Sequence, residues 1–263
     1  MKIAVIIPAA GSSTRFDGGD KLAADLGGRP LLLRTVEAFT RRDEVGQIIV
    51  AGPPDGLDAF KDRFGAGLGF HGVNLVEGGK VDRWETVRNA LAAVSSECTH
   101  VAVHDAARPL VSDQMLDRVF MAAGKLGAVV PVLAMSSTLK EIDPASTVDA
   151  GEGEDLVVDS ILDGAGRMQV PASPVTGTVD RDRYAMAQTP QVFRREIIIE
   201  AYQGAQLDGA TDDAQVVERA GGQVHTVPGD ATNIKITTTD DLQLAKALLG
   251  LHEARRPRDP LLG

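Results

Sequence analysis

Apolar and polar positions along the chain fall into two alternating patterns. Short uninterrupted apolar runs, rich in Val and Ile, suit parallel strands buried on both faces. Between them lie segments whose apolar residues recur every three or four positions, the signature of a helix with one buried face. Residues 2–8 read as a first strand and 31–39 as a helix with Leu32, Thr35, Val36 and Phe39 on one side. Residues 47–51 form a second strand closed by GPPDG, and 73–76 a third that runs into EGGKVDR. Trp84, Val87, Leu91 and Val94 then repeat at helical spacing. Residues 100–104 read as a strand, Ser112 as the cap of a helix through Gly124, and 128–132 as another strand. Later, 196–204 and 212–220 read as helices, 223–227 as a strand and 240–249 as an amphipathic closing helix. The proline-broken, charged tail at about 251–263 is expected to fray.

Repeated strand–helix units require right-handed crossovers and a mainly parallel sheet. The expected class is therefore α/β: a Rossmann-like three-layer sandwich with a mainly parallel twisted sheet, in a single domain spanning 1–263. Residues 141–178 interrupt the rhythm. They are rich in Gly, Pro, Asp and Ser, with one apolar piece at 156–162. That is too long for an idle connection. The segment is expected to be a protruding β-arm, a hairpin suited to pairing with a second subunit; a disordered insertion is the alternative.

Composition narrows the function classes. The 263 residues carry 27 Lys+Arg against 37 Asp+Glu, a net charge of −10, with 43% apolar residues. Such a chain is globular rather than disordered. Its acidic balance argues against nonspecific nucleic-acid binding, which needs a basic surface. Cys98, the single cysteine, excludes an intramolecular disulfide framework and a multi-cysteine zinc site. The opening apolar run stops at Pro8, charge returns at Arg15, and no stretch reaches the roughly 18 residues of a membrane span. A cytoplasmic protein without membrane or nucleic-acid partners is expected.

The polar sequences AAGSSTR, EGGKVDR and HDAARP all begin at predicted strand ends. In an open parallel sheet that places them on the ligand-binding rim. The small residues Ala9, Ala10 and Gly11 let backbone amides approach an anion, and Arg15 and Lys21 add positive charge nearby. Neither GxxxxGK[ST] nor GxGxxG is present, and a tight turn with two exposed cations is the competing reading. Gly78 and Gly79, with Arg83 and Thr86 after them, suit either close approach to a flat base or a simple helix start. Asp105 is placed to hold a divalent cation through oxygen. His104 lacks metal-spaced companions, so a hydrogen-bonded structural role is expected. Lys235, between apolar neighbours in NIKIT on a predicted strand, needs an anionic partner. That partner is a substrate phosphate or, alternatively, Asp212 or Asp213.

The ordered set PAAGSSTR, EGG…R…T, HDAARP, TPQ, TDD and NIKIT resembles the 2-C-methyl-D-erythritol 4-phosphate cytidylyltransferases of the non-mevalonate isoprenoid pathway, from Lys2 to about Leu249. The resemblance implies cytidylyl transfer from CTP to a small polyol phosphate with release of pyrophosphate, assisted by Mg2+. It implies that Arg15 and Lys21 stabilise the transition state and that Ala9, Ala10 and Gly11 contact the nucleotide. Gly78 and Thr86 would read cytosine, and Asp105 would lie beside the ribose and the metal-bound phosphates. Lys235 and Thr211 would bind the substrate, and Arg181 would reach the neighbouring subunit's substrate in a homodimer built through the arm. Three departures stand out: Ser13 where a glycine is usual, Lys21 in Asp-Lys-Leu rather than Pro-Lys-Gln, and a longer arm. A cytidylyltransferase for another polyol phosphate, such as ribitol 5-phosphate, would share the nucleotide site. A non-catalytic nucleotide-binding protein is disfavoured because Arg15, Lys21, Asp105 and Lys235 are all present.

Overall fold

The computed structural model describes residues 1–11, 16, 19–149 and 170–255. They form two compact units, Met1–Leu133 with Ala187–Gly263, and Ala134–Met186. The larger unit opens with β1 (Ile3–Pro8), α1 (Leu31–Thr40), β2 (Val45–Gly52), α2 (Leu57–Phe70) and β3 (Asn74–Glu77). It continues with α3 (Arg83–Leu91), β4 (His100–Val103), α4 (Asp113–Leu126) and β5 (Ala128–Ala134), whose last residue is assigned to the smaller unit. In the smaller unit lie β6 (Leu139–Ile142), β7 (Val148–Asp149), β8 (Pro171–Ala172) and β9 (Val175–Val179), and β10 (Ala185–Ala187) straddles the boundary. The chain then re-enters the larger unit with β11 (Gln191–Arg194), α5 (Arg195–Gly204), α6 (Asp213–Arg219), β12 (His225–Pro228) and α7 (Thr239–Arg255).

In the larger unit the sheet order is β12-β5-β11-β4-β1-β2-β3. β1 pairs in parallel with β2 and β4, β2 with β3, and β5 with β12; β11 is antiparallel to both β4 and β5. Side-chain alternation sorts each strand between two cores. Ile3, Val5 and Ile7 join Ile48, Val50, Ala102, Val129 and Val192 on one face, under Leu32, Phe39, Phe64 and Phe120. Ala4 and Ile6 join Ile49, Ala51, Val101, Val103 and Phe193 on the other, under Val87, Leu91, Ile198 and Val217. The first face is covered from α1, α2 and α4, the second from α3, α5 and α6. This is the three-layer α/β arrangement with a mainly parallel sheet that the apolar runs predict.

Most predicted elements recur within a few residues. The Ser112 hydroxyl accepts from the Met115 amide at 3.2 Å and caps α4 as expected. Three differences have physical causes. Helix α2 was not anticipated, because Gly65, Gly67 and Gly69 lower helix propensity. Its Phe60, Phe64 and Leu68 nevertheless face the core, and a Cβ on Gly67 would come within 2.6 Å of Leu33. The glycine lets α1 and α2 approach. NIKIT is not a strand: the Ile236 amide donates to Ala107 at 2.9 Å, and the segment is otherwise irregular. Helix α7 runs on to Arg255, so residues 251–255 are helical rather than frayed, while 256–263 lie outside the described residues.

The smaller unit contains the expected hairpin. β6 and β9 pair antiparallel, Leu139 opposite Val179, and β7 pairs antiparallel with β8. Asp143 caps the intervening turn by accepting from the Ala145 amide. The apolar piece 156–162 lies outside the described residues. No described helix is long and apolar enough to cross a membrane.

Candidate active site

Loops that leave the carboxyl ends of β1, β3 and β4 meet the 235–237 segment around a cleft of about 380 Å³. That volume lies within the usual range for small-ligand sites. Of the residues singled out from sequence, Ala9, Ala10, Gly11, Lys21, Thr86, Asp105 and Lys235 line it. Arg83 and Lys80 line it as well. Arg15 lies outside the described residues. Thr211 is not among the lining residues; its amide donates to Gln215 Oε1 just ahead of α6. Arg181 belongs to the smaller unit, where its Nη1 donates to the Ser136 carbonyl at 2.6 Å.

The first loop differs from an open nest of amides. The Ala9 amide donates to the Ala51 carbonyl at 2.8 Å and extends the β1–β2 ladder, so it is not available to an anion. Among the described residues no hydrogen bond engages the amides of Ala10 and Gly11. A Cβ on Gly11 would meet nothing within 4 Å. Lys21 starts a short 3-10 turn over Lys21–Ala23, capped by Asp20, which accepts from the Leu22 amide. Asp20 also pairs with Arg63 at 2.6 Å. Asp in place of Pro before the lysine thus gives this loop its cap.

The paired glycines act through packing. The Gly78 amide donates to Gly52 at 2.8 Å, and the Gly79 amide to Thr86 Oγ1 at 3.0 Å. A Cβ on Gly78 would lie 2.8 Å from both the Ala10 side chain and the Gly52 carbonyl. Gly78 therefore sits behind the lining rather than in it. Thr86 is buried, and its hydroxyl hydrogen remains to donate.

Asp105 is the electrostatic centre. Its Oδ2 lies 3.1 Å from Lys235 Nζ and 3.2 Å from Arg108 Nε, and its Oδ1 lies 3.6 Å from an Arg83 nitrogen. Burial alone would raise this carboxyl's pKa, but Arg83, Lys235 and Arg108 outweigh it and hold it below the ordinary carboxylate range. Lys235 is not buried as its apolar neighbours suggested: its side chain is 44% exposed. Its partner is Asp105 rather than Asp212 or Asp213. Arg83 also pairs with the fully buried Asp213, Nη1 to Oδ2 at 2.8 Å. Burial would lower the Arg83 pKa, but Asp213 and Asp105 reverse it and raise it further. Sequence reading noted Arg83 and Asp213 without giving either a site role. The only signals were an arginine four residues after a glycine pair and a second Asp behind a helix cap.

The remaining motifs hold this centre in place. His104 is fully buried. Its Nε2 lies 3.0 Å from the Arg108 carbonyl, so this nitrogen carries the proton and donates. Its Nδ1 lies 3.1 Å from Thr189 Oγ1, which itself accepts from the Asp105 amide at 3.0 Å. Burial is the leading cause that pushes the His104 pKa down to about 4. The structural role expected for this histidine is the one observed. Asn233 Nδ2 donates to the Thr189 carbonyl at 2.8 Å, and Arg108 Nη1 to the Asn233 carbonyl at 2.7 Å. HDAARP, TPQ and NIKIT are therefore one hydrogen-bonded body. No cluster of three or more His, Cys, Asp or Glu suited to a metal occurs among the described residues.

Comparison with known proteins places the chain. The family model for 2-C-methyl-D-erythritol 4-phosphate cytidylyltransferase matches residues 3–158 and 157–251. A protein of that name from Frankia casuarinae is 39% identical over 252 residues, covering 94% of this chain and 81% of the relative. One from Solibacter usitatus is 34% identical over 265 residues, covering 97% of this chain and 98% of the relative. Among solved structures, the Thermus thermophilus 2-C-methyl-D-erythritol 4-phosphate cytidylyltransferase aligns with a TM-score of 0.69 at 32% identity, covering 95% of this chain and 100% of that one. The 4-diphosphocytidyl-2C-methyl-D-erythritol synthase of Anaerococcus prevotii aligns with a TM-score of 0.71 at 29% identity, over 95% of this chain and 98% of that one. With these matches across nearly its whole length, the chain belongs to the 2-C-methyl-D-erythritol 4-phosphate cytidylyltransferase family.

Proposed function

We propose that this protein transfers a cytidylyl group from CTP to 2-C-methyl-D-erythritol 4-phosphate, releasing pyrophosphate and supplying isoprenoid precursor synthesis. The observation that carries the reading is the meeting of Lys21, Asp105 and Lys235 with the Ala10–Gly11 backbone at one cleft. In the reaction a substrate phosphate oxygen bonds to the α-phosphorus of CTP as the bond to the β-phosphate oxygen breaks. The nucleophile is already an anion, so no general base is needed, which agrees with a neutral His104 held by two hydrogen bonds. The difficulty is bringing two anions together and accommodating charge on the leaving group. Fixed cations address both. Lys21, with Arg15, stabilises the charge that develops, and Lys235 holds the substrate phosphate. Asp105 accepts a hydrogen bond from a ribose hydroxyl.

Asp105 also suits a share in holding Mg2+. Its Oδ1 is a hard oxygen whose Arg83 neighbour, at 3.6 Å, is beyond hydrogen-bond distance. A magnesium site of one carboxylate completed by nucleotide phosphates and water is a usual arrangement. The ion, when bound, neutralises phosphate charge. The reading further includes a cytoplasmic homodimer paired through the arm, with Arg181 serving the neighbouring subunit's substrate and Thr211 the polyol. Exposed Ile142, Val148, Val175 and Tyr184 in the smaller unit support an interface there. The test is pyrophosphate release from purified protein with CTP, Mg2+ and methylerythritol phosphate. Ribitol 5-phosphate in a parallel reaction should give far less. Equal or greater release with ribitol phosphate would reassign the acceptor, and release with neither would defeat the reading.

A further inference from the structure

Behind the cleft lies a buried chain of polar groups that the transfer chemistry does not by itself require. Tyr202, on α5, donates through its hydroxyl to Asp213 Oδ1 at 2.7 Å. Asp213 opens α6 and has no exposed surface. Gln191 of β11 fixes that helix start, accepting from the Ala214 amide at 2.9 Å and donating to Asp212 Oδ2 at 2.7 Å. Asp213 Oδ2 faces Arg83 Nη1 at 2.8 Å, while Arg83 Nη2 stops 3.6 Å short of Asp105 Oδ1. Nη2 is buried and has no hydrogen-bond partner among the described residues.

An arginine beside a lone carboxylate tends to close on it in a two-pronged pair, which occupies both the cation and the acceptor. Here a second carboxylate, buried and pinned by a tyrosine, draws the guanidinium the other way. We propose that Asp213, backed by Tyr202, is a positioning residue that holds Arg83 off Asp105, keeping Asp105 Oδ1 open to a ligand hydroxyl. Asp213 does not line the cleft and acts only through Arg83. The inference rests on the nucleotide-site reading above, so its test includes a measurement that needs no ligand.

Asp213→Asn keeps the shape and a partner for Tyr202 but removes the charge. Its crystal structure should show Arg83 closed onto Asp105, with nitrogen–oxygen distances near 3 Å or less. Calorimetric titration of the folded variant with CTP should show affinity at least tenfold weaker than wild type. Tyr202→Phe, which keeps the charge, should weaken it twofold to threefold and serves if Asp213→Asn fails to fold. In an Arg83→Met background both substitutions should leave CTP affinity unchanged, since nothing remains to be positioned. A merely structural Asp213 would lower thermal stability in either background without this dependence on Arg83. An unaltered Arg83–Asp105 spacing in the variant structure, or equal losses of affinity with and without Arg83, overturns the proposal. Wild-type protein that fails to bind CTP would instead refute the nucleotide-site reading, and the variant structure would still decide the positioning role.

Discussion

Acidification should expose the cost of keeping His104 neutral. Its pKa in the folded protein is held at about 4, against 6.5 for an ordinary imidazole. A folded-state pKa below the unfolded one means that the unfolded chain takes up the proton first. Stability from this group is therefore complete above about pH 6.5 and is lost progressively as pH falls toward 4. One pH unit of this imbalance is about 1.4 kcal/mol, so going from pH 7 to pH 5 removes ~2 kcal/mol through His104 alone. His104→Gln keeps a donor for the Arg108 carbonyl and an acceptor for the Thr189 hydroxyl but cannot titrate. Urea unfolding followed by circular dichroism, run on both proteins at pH 7 and pH 5, isolates the effect because the other histidines are common to both. The variant should be the less stable at pH 7, by roughly 1–2 kcal/mol for imperfect packing and hydrogen bonding. That gap should close, or reverse, by pH 5. An unchanged gap at the two pH values, or an imidazole that titrates near 6.5 by NMR, would refute the argument. The same reasoning predicts that kcat shows no ionisation attributable to His104 between pH 5.5 and 8.

Other expectations concern the cleft. Lys21→Ala should lower kcat by about 10²–10³-fold, the scale for losing one preorganised charge stabiliser, with little loss of fold; near-normal turnover would remove Lys21 from the transition state. Gly11→Ala should fold normally, since its Cβ meets nothing, yet raise the KM for CTP by intruding on ligand space. Gly78→Ala should instead destabilise the fold by about 1–3 kcal/mol, because the Gly52 carbonyl and Ala10 must shift; comparing the two melting curves checks both. If Arg181 serves a neighbouring subunit, mixing Arg181→Ala with Lys235→Ala protein under subunit exchange should recover part of the lost activity, and failure to recover would count against shared sites.

Much of this protein could be read from its sequence because the relevant physics is local. Uninterrupted apolar runs at 2–8 and 47–51 leave little choice but central parallel strands, and parallel strands put AAGSSTR, EGG and HDAARP at one rim. Helix α2 is not legible because its three glycines lower helix propensity, while one of them, Gly67, serves a contact with Leu33, a partner distant in the chain. The charge pairing was equally illegible. Lys235 meets Asp105 from far along the chain, and Arg83 chooses between Asp105 and Asp213 by distances that no spacing rule contains. Residue type and order determined the fold class, the cleft's chemistry and the family. Which acid answers which base was decided only when the sheet brought those groups within Coulombic reach in a partly buried site, where Arg83 lies 2.8 Å from one carboxylate and 3.6 Å from the other.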